Sequence, residues 1–250
     1  LLNDDEKLRR LYGPELLPPE LIRSIGLIPS EYLFFYYQPR FAVENQLRAG
    51  STRGEELRAL NGRIWPEIES RIRRADWRGV FEIYRSYVNR RNVSYLKLEA
   101  AGESAFAQPE VDWNPLDAEV GYHRIAVETM RALTATAASK LVLNVPNAGA
   151  IEDLSADDVI EAPCEVDRNG ARPSQVGKLP ETVRGLTVAV KAYERLTIRA
   201  AEEQSVSAAR LALFTNPLVG DWKAAGVFVN RLFETDSNLR RGGHRATTPK

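Results

Sequence analysis

Apolar residues in this chain recur almost everywhere at helical steps, and only two short runs change to a strand pattern. From Arg53 to Trp77, Leu57, Leu60, Ile64, Ile68 and Ile72 follow one another at steps of 3 or 4, which places them on one helix face. Pro66 falls inside that segment, so a kink or a new first turn is expected there. Gly121 to Leu133 reads as a helix with Ile125, Val127, Met130 and Leu133 on its buried side. Val183 to Ala201 carries Leu186, Val190, Tyr193, Leu196 and Thr197 on one stripe. Two further helices, Val206 to Phe214 and Asp221 to Phe233, flank Asn216-Pro217-Leu218-Val219-Gly220.

The strand runs are Leu141 to Val145, turned by Pro146-Asn147-Ala148-Gly149, and Val159 to Val166, followed by the hairpin-like Asp167-Arg168-Asn169-Gly170. Pro163, lacking a donor, predicts an edge position for the second strand. The expected class is therefore α+β, mostly helical with a small, largely antiparallel sheet, as one unit over residues 1–235 with a flexible tail over 236–250.

Nearer the start, residues 3–12 form a predicted helix with Leu8 and Leu11 on one side and Gly13-Pro14 at its end. Pro18-Pro19 opens another through Leu21, Ile22 and Ile25, stopped by Gly26. An aromatic run from Tyr32 to Tyr37 follows Ser30, a possible helix cap, and ends at Pro39. Arg71, Arg73 and Arg74 alternate with Glu67, Glu69 and Asp76, the pattern of a salt-bridged, solvated face. Residues 101–120 show no period and read as a loop.

Thirty-four basic residues balance 34 acidic ones, which argues against a nucleic-acid partner, whose binding rests on phosphate neutralisation. No stretch approaches the roughly 20 apolar residues of a membrane span, and the Leu1-Leu2-Asn3-Asp4-Asp5-Glu6 opening is not a signal peptide. A cytoplasmic protein is expected. The only Met is Met130, so a chain opening on Leu1 reads as a fragment. Cys164 is alone, and only His123 and His244 could join it, so no self-contained zinc site is expected. Gly-x-Gly-x-x-Gly, Walker and Gly-x-Ser-x-Gly patterns are all missing from the sequence. Asp153, Asp157, Asp158 and Glu161 read as a polar turn rather than as catalytic acids.

Tyr32, Tyr36 and Tyr37 are candidates for core, interface or base roles. A tyrosine serves as a base near neutral pH only when a cation or metal lowers its pKa from about 10. Arg53, in Ser51-Thr52-Arg53-Gly54, is either a surface residue or a clamp for an anionic sugar. His123, at a predicted helix start, is more often structural than catalytic.

Several segments together resemble the C-terminal half of glycoside hydrolase family 4, in particular its 6-phospho-β-glucosidases. The densest is Leu143-Asn144-Val145-Pro146-Asn147-Ala148-Gly149-Ala150-Ile151, continuing through Leu154 and Asp157-Asp158 to Val159–Val166. Val190–Thr197 and Asn216–Gly220 follow in the family's order and spacing, and Ile28–Tyr36 resembles its Pro-x-x-Tyr-Leu-x-Tyr-Tyr segment. Thr52-Arg53 matches its downstream Thr-Arg. The resemblance spans residues 15–233, and is thinnest over 75–120.

It implies a C-terminal domain like that of lactate and malate dehydrogenases, with a Rossmann half outside this chain. It further implies an NAD-dependent hydrolase outside the usual two-carboxylate scheme, acting on 6-phospho-β-glucosides by oxidation at C3, elimination and water addition. By position, Tyr32 corresponds to the base that removes the C2 proton, and Arg53 to a substrate-orienting cation. NAD and a divalent metal, manganese in most members, are expected to be held mainly by the missing half, leaving neither Cys164 nor His123 as a ligand and this chain inactive alone. Where many members have Tyr, this chain has Phe35. The Asn144 and Asn147 pair reads as turn-forming. Substrates with α-linkages (6-phospho-α-glucosides, α-galactosides, galacturonides) and a non-catalytic oligomerising remnant are the alternatives. A homodimer or homotetramer and a phosphorylated sugar are the expected partners.

Overall fold

The computed structural model describes residues 2–12, 16–93 and 122–235. The expected loop over 101–120, the tail over 236–250, His244 and the Gly13-Pro14 stop lie outside them. Chain packing defines two compact units, Leu1–Val120 and Gly121–Lys250, a division within the residues read above as one.

The first unit is helical. Helix α1 (Asp5–Tyr12) and α2 (Pro19–Ile25) share a core of Leu8, Leu17 and Ile22. Pro19 occupies the first turn of α2, where no donor is needed, and Gly26 ends it at φ 80°, its N–H returning to the Ile22 carbonyl. A 3-10 turn, Glu31–Leu33, leads into the short α3 (Phe34–Tyr37). Ser30 stands at the head of the 3-10 turn but makes no side-chain cap. Phe34 is fully buried with Leu16 and Ala42, packed by the edges of Phe35 and Phe41. Pro39 does more than end the aromatic run: it opens α4 (Pro39–Ala49), which has no counterpart in the sequence reading.

Helix α5 (Arg53–Arg73) is continuous through Pro66. Helix α6 (Trp77–Val93), also unanticipated, begins at a tight corner where Ala75 takes φ 56°. Asp76 caps it, accepting from Gly79 N at 3.0 Å while Arg71 donates to its other oxygen at 2.8 Å. Arg71–Glu67 at 3.2 Å and Arg73–Glu69 at 3.8 Å complete the expected salt-bridged face.

The second unit starts with α7 (Tyr122–Thr134) and an antiparallel sheet of order β1-β2-β3: Ser139–Pro146, Val159–Asp167 and Gly170–Pro173. Ile160, Ala162, Cys164 and Val166 alternate inward on β2, with Val145 and Ala150, against Ala132 of α7.

Two expectations fail here. β2 is central, not an edge. The Pro163 carbonyl accepts from Ser174 N at 2.8 Å, just past the last residue of β3, so the missing donor faces the point where the ladder runs out and costs no strand pair. On α7 the residues read as a buried side are exposed, Ile125, Val127, Met130 and Leu133 at 46, 40, 59 and 43%; the sheet takes only the small Ala132.

The loop between β1 and β2 is organised around Asn147, which has no solvent exposure. Its side-chain nitrogen donates to the carbonyls of Ile151, Leu154 and Ser155 (2.9, 3.2 and 3.1 Å), and its oxygen accepts from Ile151 N at 2.7 Å. The turn-forming reading of the Asn144 and Asn147 pair therefore holds for Asn147 alone; Asn144 lies within β1, paired with Glu161 of β2. Asp153 and Asp158 of this loop are structural as well. Asp158, almost fully buried, receives Arg195 Nη1 at 2.6 and 2.7 Å, and Asp153 pairs with Arg184 at 2.8 Å. Lys191 Nζ adds a bond to the Val159 carbonyl at 2.5 Å. All three cations lie on α8 (Glu181–Glu203), which extends the expected Val183–Ala201 at both ends. Helices α9 (Val206–Thr215) and α10 (Trp222–Thr235) follow as expected. Arg210 crosses to α10, stacking 3.9 Å over the Trp222 ring and donating to its carbonyl at 3.2 and 3.0 Å. The absence of a side chain at Gly226 makes room for it, since a Cβ there would come 2.7 Å from Arg210 Cζ.

Asn147→Ala should lower the unfolding free energy by about 2–3 kcal/mol, because a buried donor and three carbonyls lose their partner; the midpoint of urea unfolding followed by circular dichroism reads this. At the β2–β3 turn, Arg172 donates twice to Asp167 (3.1 and 2.6 Å) and holds its carboxyl down at about 2. The folded pKa lies below the ordinary 3.8, so this contribution is complete above that value and is lost as pH falls toward about 2. Asp167→Asn should therefore flatten the acid side of the stability profile between those values and leave its neutral-side slope unchanged.

Candidate functional site

The sequence-derived candidates Tyr32 and Arg53 both fall in the first unit, each at the start of a helical segment. Tyr32 is the middle residue of the Glu31–Leu33 turn and is 59% exposed. Its position is set by Phe34, two residues on, which is locked in the core. The run thus alternates a buried anchor with an exposed phenol. Tyr37 packs against Leu8, Leu17 and Ile22, and burial pushes its phenol above the ordinary 10, which suits a neutral packing residue and not a base.

Arg53 is the first residue of α5, behind a complete capping box. Glu55 N donates to Thr52 Oγ1 at 3.3 Å, and Thr52 N donates to the Glu55 carboxylate at 2.7 Å. The Thr52 N–H, with the Thr52 hydroxyl donating to the same carboxylate at 3.1 Å, holds the Glu55 carboxyl below its usual range. The arginine itself is aligned by Glu56 at 2.8 Å and by the Arg91 carbonyl at 2.5 Å, which ties the head of α5 to the end of α6. A guanidinium fixed in this way is a pre-oriented cation for a carboxylate or phosphate.

Immediately after it, α5 carries a groove of about 630 Å³ lined by Gly54, Leu57, Arg58, Asn61, Gly62, Trp65 and Pro66. The sequence reading passed over it; the only local signal is the pair of glycines eight positions apart on one face. Trp65 is half exposed there, and the buried Asn61 Oδ1 has no hydrogen-bond donor among the described residues. The lining combines an aromatic surface and a cation, groups that meet a sugar ring's apolar face and charge.

His123 is exposed in the first turn of α7, and Cys164 is buried in the sheet with its Sγ 3.2 Å from the Ala162 carbonyl. Among the described residues, no three His, Cys, Asp or Glu side chains come together as a metal site would require, and no helix is long and apolar enough to cross a membrane.

Residues 4–219 match the Family 4 glycosyl hydrolase C-terminal domain. The chain belongs to that family. A probable 6-phospho-β-glucosidase of Bacillus subtilis (strain 168) is 24% identical over 216 residues, 86% of this chain and 42% of the relative. Among solved structures, the 6-phospho-β-glucosidase of Thermotoga maritima, determined with NAD and glucose-6-phosphate, superposes with a TM-score of 0.64 at 23% identity, covering 94% of this chain and 48% of its own. A 6-phospho-α-glucosidase from gut microorganisms, in complex with NAD and Mn2+, gives 0.56 at 20% identity, over 94% and 44%. These likenesses establish the mostly helical fold with its small antiparallel sheet, and the chain spans less than half the length of each relative. The Thermotoga maritima structure holds NAD and glucose-6-phosphate, and the gut-microbial one NAD and Mn2+.

Removing the cap with Thr52→Ala should cost about 1 kcal/mol of stability and loosen Arg53 with the first turn of α5, measured as a lowered unfolding midpoint and faster amide exchange at Arg53–Glu56.

Proposed function

We propose that this chain is the substrate-binding and assembly portion, residues 1–235, of an NAD- and divalent-metal-dependent glycosidase that hydrolyses 6-phospho-β-glucosides. The observation that carries this reading is the family match over residues 4–219, with 6-phospho-glucosidases among the relatives. Tyr32 is assigned as the base that accepts the sugar C2 proton, on the support of its exposed phenol set on a turn beside a buried anchor. Arg53 is assigned to orient the anionic sugar, on the support of its fixed guanidinium. NAD and manganese are assigned mainly to an N-terminal half, in keeping with the extra length of the relatives. A phosphorylated sugar crosses a bilayer poorly because a charge is costly to desolvate, which supports action in the cytoplasm. Assembly as a dimer or tetramer belongs to the same reading.

Relatives acting on α-linked phosphoglucosides keep the opposite anomer as a second reading. Aryl glycosides of both anomers, with and without the 6-phosphate, separate the two. The 250-residue chain alone should release no aglycone. In the enzyme completed by its nucleotide-binding half, Tyr32→Phe should reduce solvent deuterium exchange at substrate C2 by at least about 100-fold with little change in KM. Unchanged exchange would remove Tyr32 from the role, and a completed enzyme without turnover would leave a non-catalytic remnant.

A further inference from the structure

The groove on α5 is not accounted for by the packing of its own helix. Gly54 and Gly62 stand about two turns apart in its lining. Glycine within a helix lowers stability relative to alanine, and its usual reasons are a positive φ or a neighbour too close for a side chain. Neither holds here. Neither glycine has a positive φ; a Cβ at Gly62 would meet nothing within 4 Å, and one at Gly54 only Thr52 Oγ1 at 3.9 Å. What the two positions do is keep about 630 Å³ open, within the roughly 300–1,000 Å³ of small-ligand sites.

The chemistry around that space points to its occupant. Trp65 offers a ring that is 50% exposed, and Leu57 and Pro66 add apolar lining. Among the described residues Arg58 is exposed and makes no hydrogen bond or ion pair, and the charge of Glu55, three residues back, acts on it. A pyranose ring matches both groups: its C–H face stacks on an indole, and its hydroxyls accept from a guanidinium. A second anion is a poorer match, because the Glu55 carboxylate already offsets that cation. Leu57 follows Arg53 by about one turn, and Arg58 lies about 7.5 Å further along the axis than Arg53, the scale of one sugar ring. Helical side chains lean toward the N-terminus, which turns Trp65 back along the groove. We propose that this groove seats the leaving group of the phosphoglycoside as a neutral sugar ring, with Trp65 as its stacking platform and Arg58 as donor to its hydroxyls. The proposal rests on the hydrolase reading above, which assigns the anionic sugar to Arg53.

The test is a heteronuclear NMR titration of the 250-residue chain with cellobiose, a pair of neutral glucose rings. The Trp65 indole N–H, identified by its loss in Trp65→Phe, should shift saturably with a Kd of about 1–10 mM, and the Trp77 indole on α6 should not. Gly62→Leu fills the groove from a position with open space around its Cβ. It should keep or raise the unfolding midpoint while weakening binding at least about 10-fold; a merely structural glycine would give the reverse. In the enzyme completed by its nucleotide-binding half, Trp65→Ala should raise KM about 10-fold for a 6-phospho-β-glucoside whose leaving group is glucose, with kcat held. Trp77→Ala should change neither. An unmoved Trp65 indole, undiminished binding in Gly62→Leu, an unchanged KM in Trp65→Ala, or a response to inorganic phosphate and not to cellobiose overturns the proposal and leaves the hydrolase reading standing. Binding by the chain with no turnover by the completed enzyme overturns the hydrolase reading, and the leaving-group role with it, and leaves the groove as a sugar site.

Discussion

The second unit depends on one buried amide. Asn147 is the side chain at the centre of the twelve-residue excursion between β1 and β2, since it answers three carbonyls and one N–H that no strand or helix reaches. The loop then returns the favour through the backbone, as Asn147 N donates to the Asp158 carbonyl at 2.7 Å and closes the base where β1 hands over to β2. Buried backbone groups seldom go unpaired, so a residue with both donor and acceptor on a short stem is needed there; Asp has no donor when ionised, and Gln is a methylene too long.

That loop also carries the attachment of the sheet to the helical layer, and the attachment is polar. The sheet's inner face is aliphatic and takes Ala132 from α7, while α8 meets the loop and the start of β2 through Arg184, Lys191 and Arg195 on Asp153, the Val159 carbonyl and Asp158. Their positions, separated by seven and four residues, lie along one side of a helix, so α8 reads as a rail with three fixed stops. Directional bonds of this kind set register more tightly than apolar contact does, at the expense of desolvating Asp158.

Much of this was legible in the residues. Proline and glycine marked the ends of α2 and the β1–β2 turn, and apolar spacing found α5, α8, α9 and α10. The failures have physical causes. Helix α6 is rich in aromatic, β-branched, Gly and Asn residues with weak intrinsic helix preference, and α4 was hidden because Pro39 both closes one segment and opens the next. Pro163 was misplaced because its strand position depends on where β3 stops, a fact of tertiary pairing. On α7, periodicity correctly identified an apolar stripe but could not say which surface would cover it. Tyr32 and Arg53 emerged only through the family's motifs; spacing alone left them among core, interface and surface alternatives. The α5 groove gave almost no sequence signal, because open space at Gly54 and Gly62 is recorded as missing side chains.

The brevity of β3 bears on how copies of this chain meet. Four residues bounded by Gly170 and Pro173 leave little free edge on that side of the sheet, and a stub ending in proline is a poor template for a foreign strand. Crowding of the folded chain therefore finds in β3 itself a poor strand template, and fibre growth by addition to that strand is disfavoured.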